Sequence, residues 1–156
     1  MKALIVYDSV FGNTEKVAQA MGAALEGQAE VTAKRVGAVT AADLAGVDAL
    51  LVGSPTRKFT ATPAIKDWIK GLASGSLQGV KVAAFDTRVA VTEGPAILKF
   101  FVKLFGYAAE PMAKSLIKKG GVQAMAPAGF IVEGSEGPMR EGEFERAAAW
   151  TKRLIP

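Results

Sequence analysis

The chain contains no cysteine and no histidine. Without cysteine there is no disulfide, no thiolate nucleophile, no iron–sulfur ligation and no cysteine-based zinc site. Without histidine, Ser–His–Asp hydrolysis, imidazole acid–base work and most transition-metal sites lose their usual residue. Redox or group-transfer chemistry on this chain therefore has to lean on a cofactor. No catalytic side chain and no metal site is expected. Long apolar runs are missing too, and spanning a bilayer needs about 20 such residues. Met1-Lys2 leads straight into a strand, with no signal-peptide pattern. These absences, with the lack of cysteine, make a cytoplasmic location the expectation. Charge of one sign is not concentrated anywhere. The net charge is only +4, and no basic stripe carries interleaved aromatics, so a nucleic-acid partner is not expected.

What is present suits one domain spanning residues 1–156, since half the chain is hydrophobic and the length leaves no room for two full cores. No internal repeat, low-complexity tract or linker interrupts it. Ala3–Tyr7, Ala49–Val52 and Val82–Phe85 are continuous apolar runs, the mark of strands buried on both faces. Glu30 to Val36 alternates and reads as an edge strand. Helices are predicted over Thr14–Leu25, Thr40–Leu44, from Pro63, over Pro95–Phe105, over about Ala108–Lys119 and over Glu141–Leu154. The last should carry Phe144, Ala148 and Thr151 on one face. Val122–Met125 and Gly129–Val132 read as one final strand broken at Ala126-Pro127-Ala128. Alternating strands and helices imply right-handed crossovers and a doubly wound α/β fold, a parallel sheet covered by helices on both faces.

Ligands of such sheets bind outside the carboxyl ends of the strands. Three loops leave those ends: Asp8 to Thr14, Ser54 to Thr62 and Asp86 to Gly94. The first is built for a phosphate. Ser9 and Thr14 offer hydroxyls, Gly12 allows close backbone approach, and a helix start presents unpaired N–H groups. Asn13 is the only asparagine in the chain. The same residues would also serve as a plain turn and helix cap. Their place directly after a buried first strand favours the ligand.

Tyr7-Asp8-Ser9-Val10-Phe11-Gly12-Asn13-Thr14-Glu15 resembles the phosphate loop of flavodoxins, Ser/Thr-x-Thr-Gly-x-Thr. Ser9, Gly12 and Thr14 match, while Phe11 stands where the family usually has Thr. Asp8 beside the loop would trouble a dianion unless it points away. The order of elements matches over essentially the whole chain, with one added helix. The resemblance implies a flavodoxin-like five-stranded sheet in the order 2-1-3-4-5, with one extra helix before the last crossover. It implies FMN as cofactor and a role as electron carrier or as flavin-dependent reductase of a small acceptor such as a quinone. FMN would be held by Ser9, Val10, Phe11, Gly12, Asn13 and Thr14. Gly53-Ser54-Pro55-Thr56-Arg57 looks closer to the quinone-reductase-like branch. Ser54, Pro55, Thr56, Arg57, Lys58 and Phe59 would flank the flavin, with Phe59 free to stack on the ring or to pack on the neighbouring helix. Asp86, Thr87, Arg88 and Val89 would meet the pyrimidine edge, unless Asp86 and Arg88 simply pair on the surface.

Ser54 to Thr62 holds neither Gly nor Asn, and a left-handed backbone costs other residues roughly 1–2 kcal/mol. The expectation is weak stabilisation of a half-reduced flavin. The Pro95–Phe105 helix is apolar over a broad arc, with Lys99 and Lys103 at a polar edge. Internal packing, a lid over the site and a homodimer contact all remain open for it. The electron donor and acceptor are not identified. A domain of this fold that has lost the flavin is the alternative function. A phospho-receiver domain would need an acidic pair after the first strand and an aspartate after the central third; here Asp8 stands alone and Gly53-Ser54 occupies the other place.

Overall fold

The computed structural model describes residues 1–90, 96, 97, 99, 100 and 106–156. A parallel sheet runs through it. Its strands are β1 (Lys2–Tyr7), β2 (Glu30–Arg35), β3 (Ala49–Pro55), β4 (Lys81–Val89), β5 (Val122–Gln123) and β6 (Ala128–Val132). The order is β2-β1-β3-β4-β5, and β6 also pairs with β4. The fifth position of the sheet is thus one strand in two pieces, as its interrupted apolar pattern predicts.

The helices are α1 (Asn13–Leu25), α2 (Ala41–Leu44), α3 (Pro63–Gly71), α4 (Ala109–Lys118) and α5 (Glu143–Lys152). They bury the two faces of the sheet separately. Val17, Ala18, Met21 and Leu25 of α1 pack with Ala147 and Trp150 of α5 on Ile5, Leu51, Ala83 and Phe85. On the other face Ile65 and Ile69 of α3 and Met112, Ala113 and Leu116 of α4 cover Leu4, Val6, Leu50 and Val52. Continuous apolar runs follow from this, because successive side chains of a strand point to opposite faces and both faces are dry. Pro63 sits in the first turn of α3, where its missing N–H is not needed, after the cap Thr62.

Two readings of the sequence are corrected. Strands β3 and β4 run further than their apolar residues. Ser54 and Pro55 belong to β3. Asp86–Val89, read as the start of a loop, is the end of β4 and pairs with Gly129, Phe130, Ile131 and Val132. Asp86 stays in the sheet there because Arg88 and the Ala109 amide satisfy its carboxylate. Helix α5 is rotated from the expected face. Glu143, Ala147, Trp150 and Thr151 are buried, and Phe144 is exposed. Trp150 sets the rotation: its ring meets Phe85 and Phe130 edge-on at 6.3 and 6.1 Å, and its indole N–H donates to the Ala126 carbonyl at 3.1 Å.

The reading of Pro95–Phe105 falls mostly outside the described residues; Ala96, Ile97, Lys99 and Phe100 within it are helical. Among the described residues no helix is long and apolar enough to cross a membrane.

Candidate functional site

The register places Tyr7, Gly53, Phe85 and Ala128 side by side across four strands. Gly53 is required in that row, because a β-carbon there would run into the Phe85 ring. Beyond the row the chain rises into the loops that form the site.

The first loop turns through Gly12 at φ +89°, a left-handed conformation that favours glycine. The Ser9 hydroxyl oxygen accepts from the amides of Gly12 at 3.1 Å and Glu15 at 3.4 Å, which shapes the turn and leaves its own O–H free to donate. Among the described residues the amides of Phe11, Asn13 and Thr14 have no protein acceptor. They are the open donors at the start of α1. Thr14 is buried, and its hydroxyl lies 2.8 Å from that of Thr87. Asn13 is buried under the loop after β6, against Gly137.

Asp8 does not oppose an anion here. Its Oδ1 accepts from the Ser9 amide at 2.9 Å and lies 3.3 Å from Nη1 of Arg35, which also donates to the Ser9 carbonyl at 2.7 Å. Arg35 comes from the edge strand β2 and holds Glu15 as well, at 3.5 Å.

The second loop is a tight hairpin. Arg57 N–H donates to the Thr60 carbonyl at 2.8 Å, and Thr60 N–H returns the bond at 3.1 Å. The two residues between are Lys58 at φ +48° and Phe59 at φ +68°. This corrects the premise that the loop avoids left-handed backbone for want of Gly or Asn. The hairpin imposes it on two ordinary residues, since a two-residue connection of this hand needs φ > 0 at both central positions. Replacing the exposed Lys58 with glycine should therefore raise stability by up to about 1 kcal/mol. Denaturant melts would show it, and an unchanged or lower midpoint would speak against stored strain.

The third element is the end of β4. Asp86 is fully buried, and Arg88 grips it with two bonds, Nε to Oδ1 at 2.6 Å and Nη2 to Oδ2 at 2.7 Å. The Ala109 amide at the start of α4 adds a donor at 2.9 Å. Burial pushes the Asp86 carboxyl above its ordinary value, and Arg88, the Ala109 amide and the Thr56 hydroxyl pull against that. The guanidinium lies 3.7 Å over the Tyr107 ring. The pair is thus buried rather than a surface contact.

These parts enclose one cavity of about 620 Å³, within the range of cofactor and small-molecule sites. Ser9, Val10, Phe11, Asn13, Thr14, Pro55, Thr56, Arg57, Lys58, Thr87, Arg88 and Val89 line it. Gly12, Ser54, Phe59 and Asp86 are not on its wall. Gly12 shapes the turn beneath. Ser54 is buried, accepting the Thr62 amide at 3.0 Å and donating to the Pro55 carbonyl. Asp86 is consumed by Arg88. Phe11 fills the place of the missing hydroxyl with an exposed ring, and the Arg57 guanidinium lies 5.8 Å from its centre. Sequence reasoning missed Val132 at the end of β6, Ser135 in the loop after it, Thr60 and Ala61 in the second loop, and Pro63 and Lys66 on α3. The turn-rich run Gly134-Ser135-Glu136-Gly137-Pro138 beyond a strand end was the available signal.

Among the described residues the lining carries Arg57, Lys58, Lys66 and Arg88 and no carboxylate. With the open amides of α1 it suits a ligand bearing a phosphate and a large ring, the chemistry of a flavin mononucleotide. Among the described residues no group of carboxylates could hold a metal ion.

The fold and this cavity define a doubly wound α/β protein that binds a phosphate-bearing cofactor at the carboxyl ends of its strands. The model of the flavodoxin domain family matches residues 4–123. The chain belongs to that family; it is an FMN-binding redox protein. Solved structures agree in fold. Flavodoxin 1 from Bacillus cereus superposes with a TM-score of 0.77 at 16% identity, covering 99% of this chain and 97% of that one. A short-chain flavodoxin associated with a non-canonical PDU bacterial microcompartment gives 0.75 at 19%, covering 99% and 97%. A WrbA-like flavodoxin from Agrobacterium tumefaciens gives 0.72 at 20%, covering 98% and 94%. No curated protein sequence matches the chain.

Proposed function

We propose that the chain uses FMN to reduce a small acceptor such as a quinone, with the phosphate held by residues 9–14 and the ring between the second loop and the end of β4. FMN supplies one- and two-electron transfer when bound. The protein binds it, orients it and sets its electrostatics. The amides of Phe11, Asn13 and Thr14, with the hydroxyls of Ser9 and Thr14, take the phosphate. Thr56, Arg57 and Lys58 border the ring on one side, and Thr87, Arg88 and Val89 on the other.

The observation that carries this reading is the charge of the cavity wall: four cationic side chains and, among the described residues, no carboxylate. Such a wall attracts the phosphate, and it accommodates an electron-rich or anionic acceptor better than a cationic one. The mild positive charge of the whole chain points the same way, away from docking on a basic protein partner.

The purified protein is expected to be yellow, or to turn yellow with added FMN and quench its fluorescence at micromolar concentration. After dithionite reduction, menadione should reoxidise it within the mixing time of a stopped-flow instrument. A colourless protein that leaves FMN fluorescence unchanged would end this reading. Slow reoxidation by menadione but rapid exchange with a protein carrier would end the small-acceptor part alone.

A further inference from the structure

Arg88 is tied down more firmly than a surface arginine. Its Nε and Nη2 are both committed to Asp86, its plane rests on Tyr107, and its guanidinium lies against Gly129 of β6, where a β-carbon would collide with it. Only Nη1 keeps its donors uncommitted among the described residues. No polar side-chain atom shut off from solvent is left without a partner among them. Nη1 is therefore not shut off from solvent, and Arg88 is one of the residues that line the cavity. The result is a cationic donor with one orientation, fixed by a carboxylate that itself never touches the cavity.

We propose that Arg88 Nη1 takes up the negative charge that reduction places on the bound ring, and that Asp86 is the residue that positions it. The proposal rests on the reading that the cavity holds FMN. Two electrons and one proton turn the neutral ring into a monoanion; two electrons and two protons leave it neutral. A fixed guanidinium beside the ring favours the first outcome, because a charge-assisted donor in a partly buried site is worth more to the anion than to the neutral ring. Among the described residues the groups that face Arg88 are Asp86 on its own strand and Tyr107 ahead of α4; β6 presents Gly129. Asp86 offsets part of the Arg88 charge. Removing each member of the pair should therefore act in opposite directions.

The test compares the affinity of the holoprotein for oxidised and for dithionite-reduced FMN, using fluorescence for the first and the shift of midpoint potential between bound and free FMN for the second. Arg88→Gln is expected to weaken binding of reduced FMN about tenfold more than binding of oxidised FMN. Asp86→Asn, whose amide oxygen still accepts from the guanidinium and so keeps Arg88 in place, is expected to strengthen the preference for reduced FMN, because the guanidinium keeps its charge and loses its counter-charge. Arg88→Lys guards against a folding failure; it keeps the charge without the fork and should fall between wild type and glutamine. A pair that only holds the fold together would weaken both redox states equally in every variant, and that result would overturn the proposal. So would a shift of the same sign in Arg88→Gln and Asp86→Asn. If wild type itself binds no FMN, the reading of the cavity has failed, and the assignment of Arg88 falls with it.

Discussion

Gly12→Val should weaken FMN binding about 100-fold or more and leave riboflavin binding within about threefold. Gly12 has φ +89°, and no atom lies within 4 Å of where its β-carbon would stand. The damage is therefore in the backbone and not in a clash. A left-handed conformation costs an ordinary residue roughly 1–2 kcal/mol and a β-branched one more. The loop relieves that strain by rotating, and the amides of Phe11, Asn13 and Thr14 then diverge. Each hydrogen bond to a charged group contributes about 1.5–3 kcal/mol, so losing two is about 3–6 kcal/mol. Riboflavin has the ring without the phosphate, so it reports on the other end of the cavity. Parallel titrations of both ligands, with a thermal melt of the variant, measure the effect. Equal losses for the two ligands would show that the loop does not hold the phosphate.

The second large effect is on stability. Phe85→Ala should cost about 3–5 kcal/mol, out of the roughly 5–15 kcal/mol that holds a domain of this kind together. Phe85 is fully buried in the middle of the sheet, and its ring is the one that excludes a side chain at Gly53. It meets Phe130 and Trp150 edge-on, each at 6.3 Å, so it joins β4 to β6 and to α5. Thr87 to Val89, which follow it closely in the chain, carry the far wall of the cavity. A denaturant midpoint shifted strongly downward at unchanged slope is the expected result, with weaker FMN binding in the same variant. A loss below about 1 kcal/mol would mean that the three rings are not a unit.

The sequence could be read where the physics is local. Ala49–Val52 and Val82–Phe85 announce buried strands because two dry faces leave no polar alternation. Glu30–Val36 announces an edge because one face is wet. Ser9, Gly12, Asn13 and Thr14 announce a turn into a helix through their own backbone and hydroxyl chemistry, and their place after the first strand follows from chain order. These features determined the fold and the phosphate end of the site.

Tertiary structure alone decided the rest. Asp86 and Arg88 look like a loop in sequence, since charged residues rarely stay buried in a sheet. They stay because the Ala109 amide, the Tyr107 ring and Gly129, all about twenty or more residues away, supply what burial removes. Lys58 and Phe59 have no preference for left-handed backbone; the hairpin closing Arg57 on Thr60 imposes it. Ser135 reaches the cavity only because β6 pairs alongside β4. The end of the cavity proposed for the phosphate was set by short-range chemistry already written along the chain. The ring end was set by burial and pairing between distant segments, which no local pattern records.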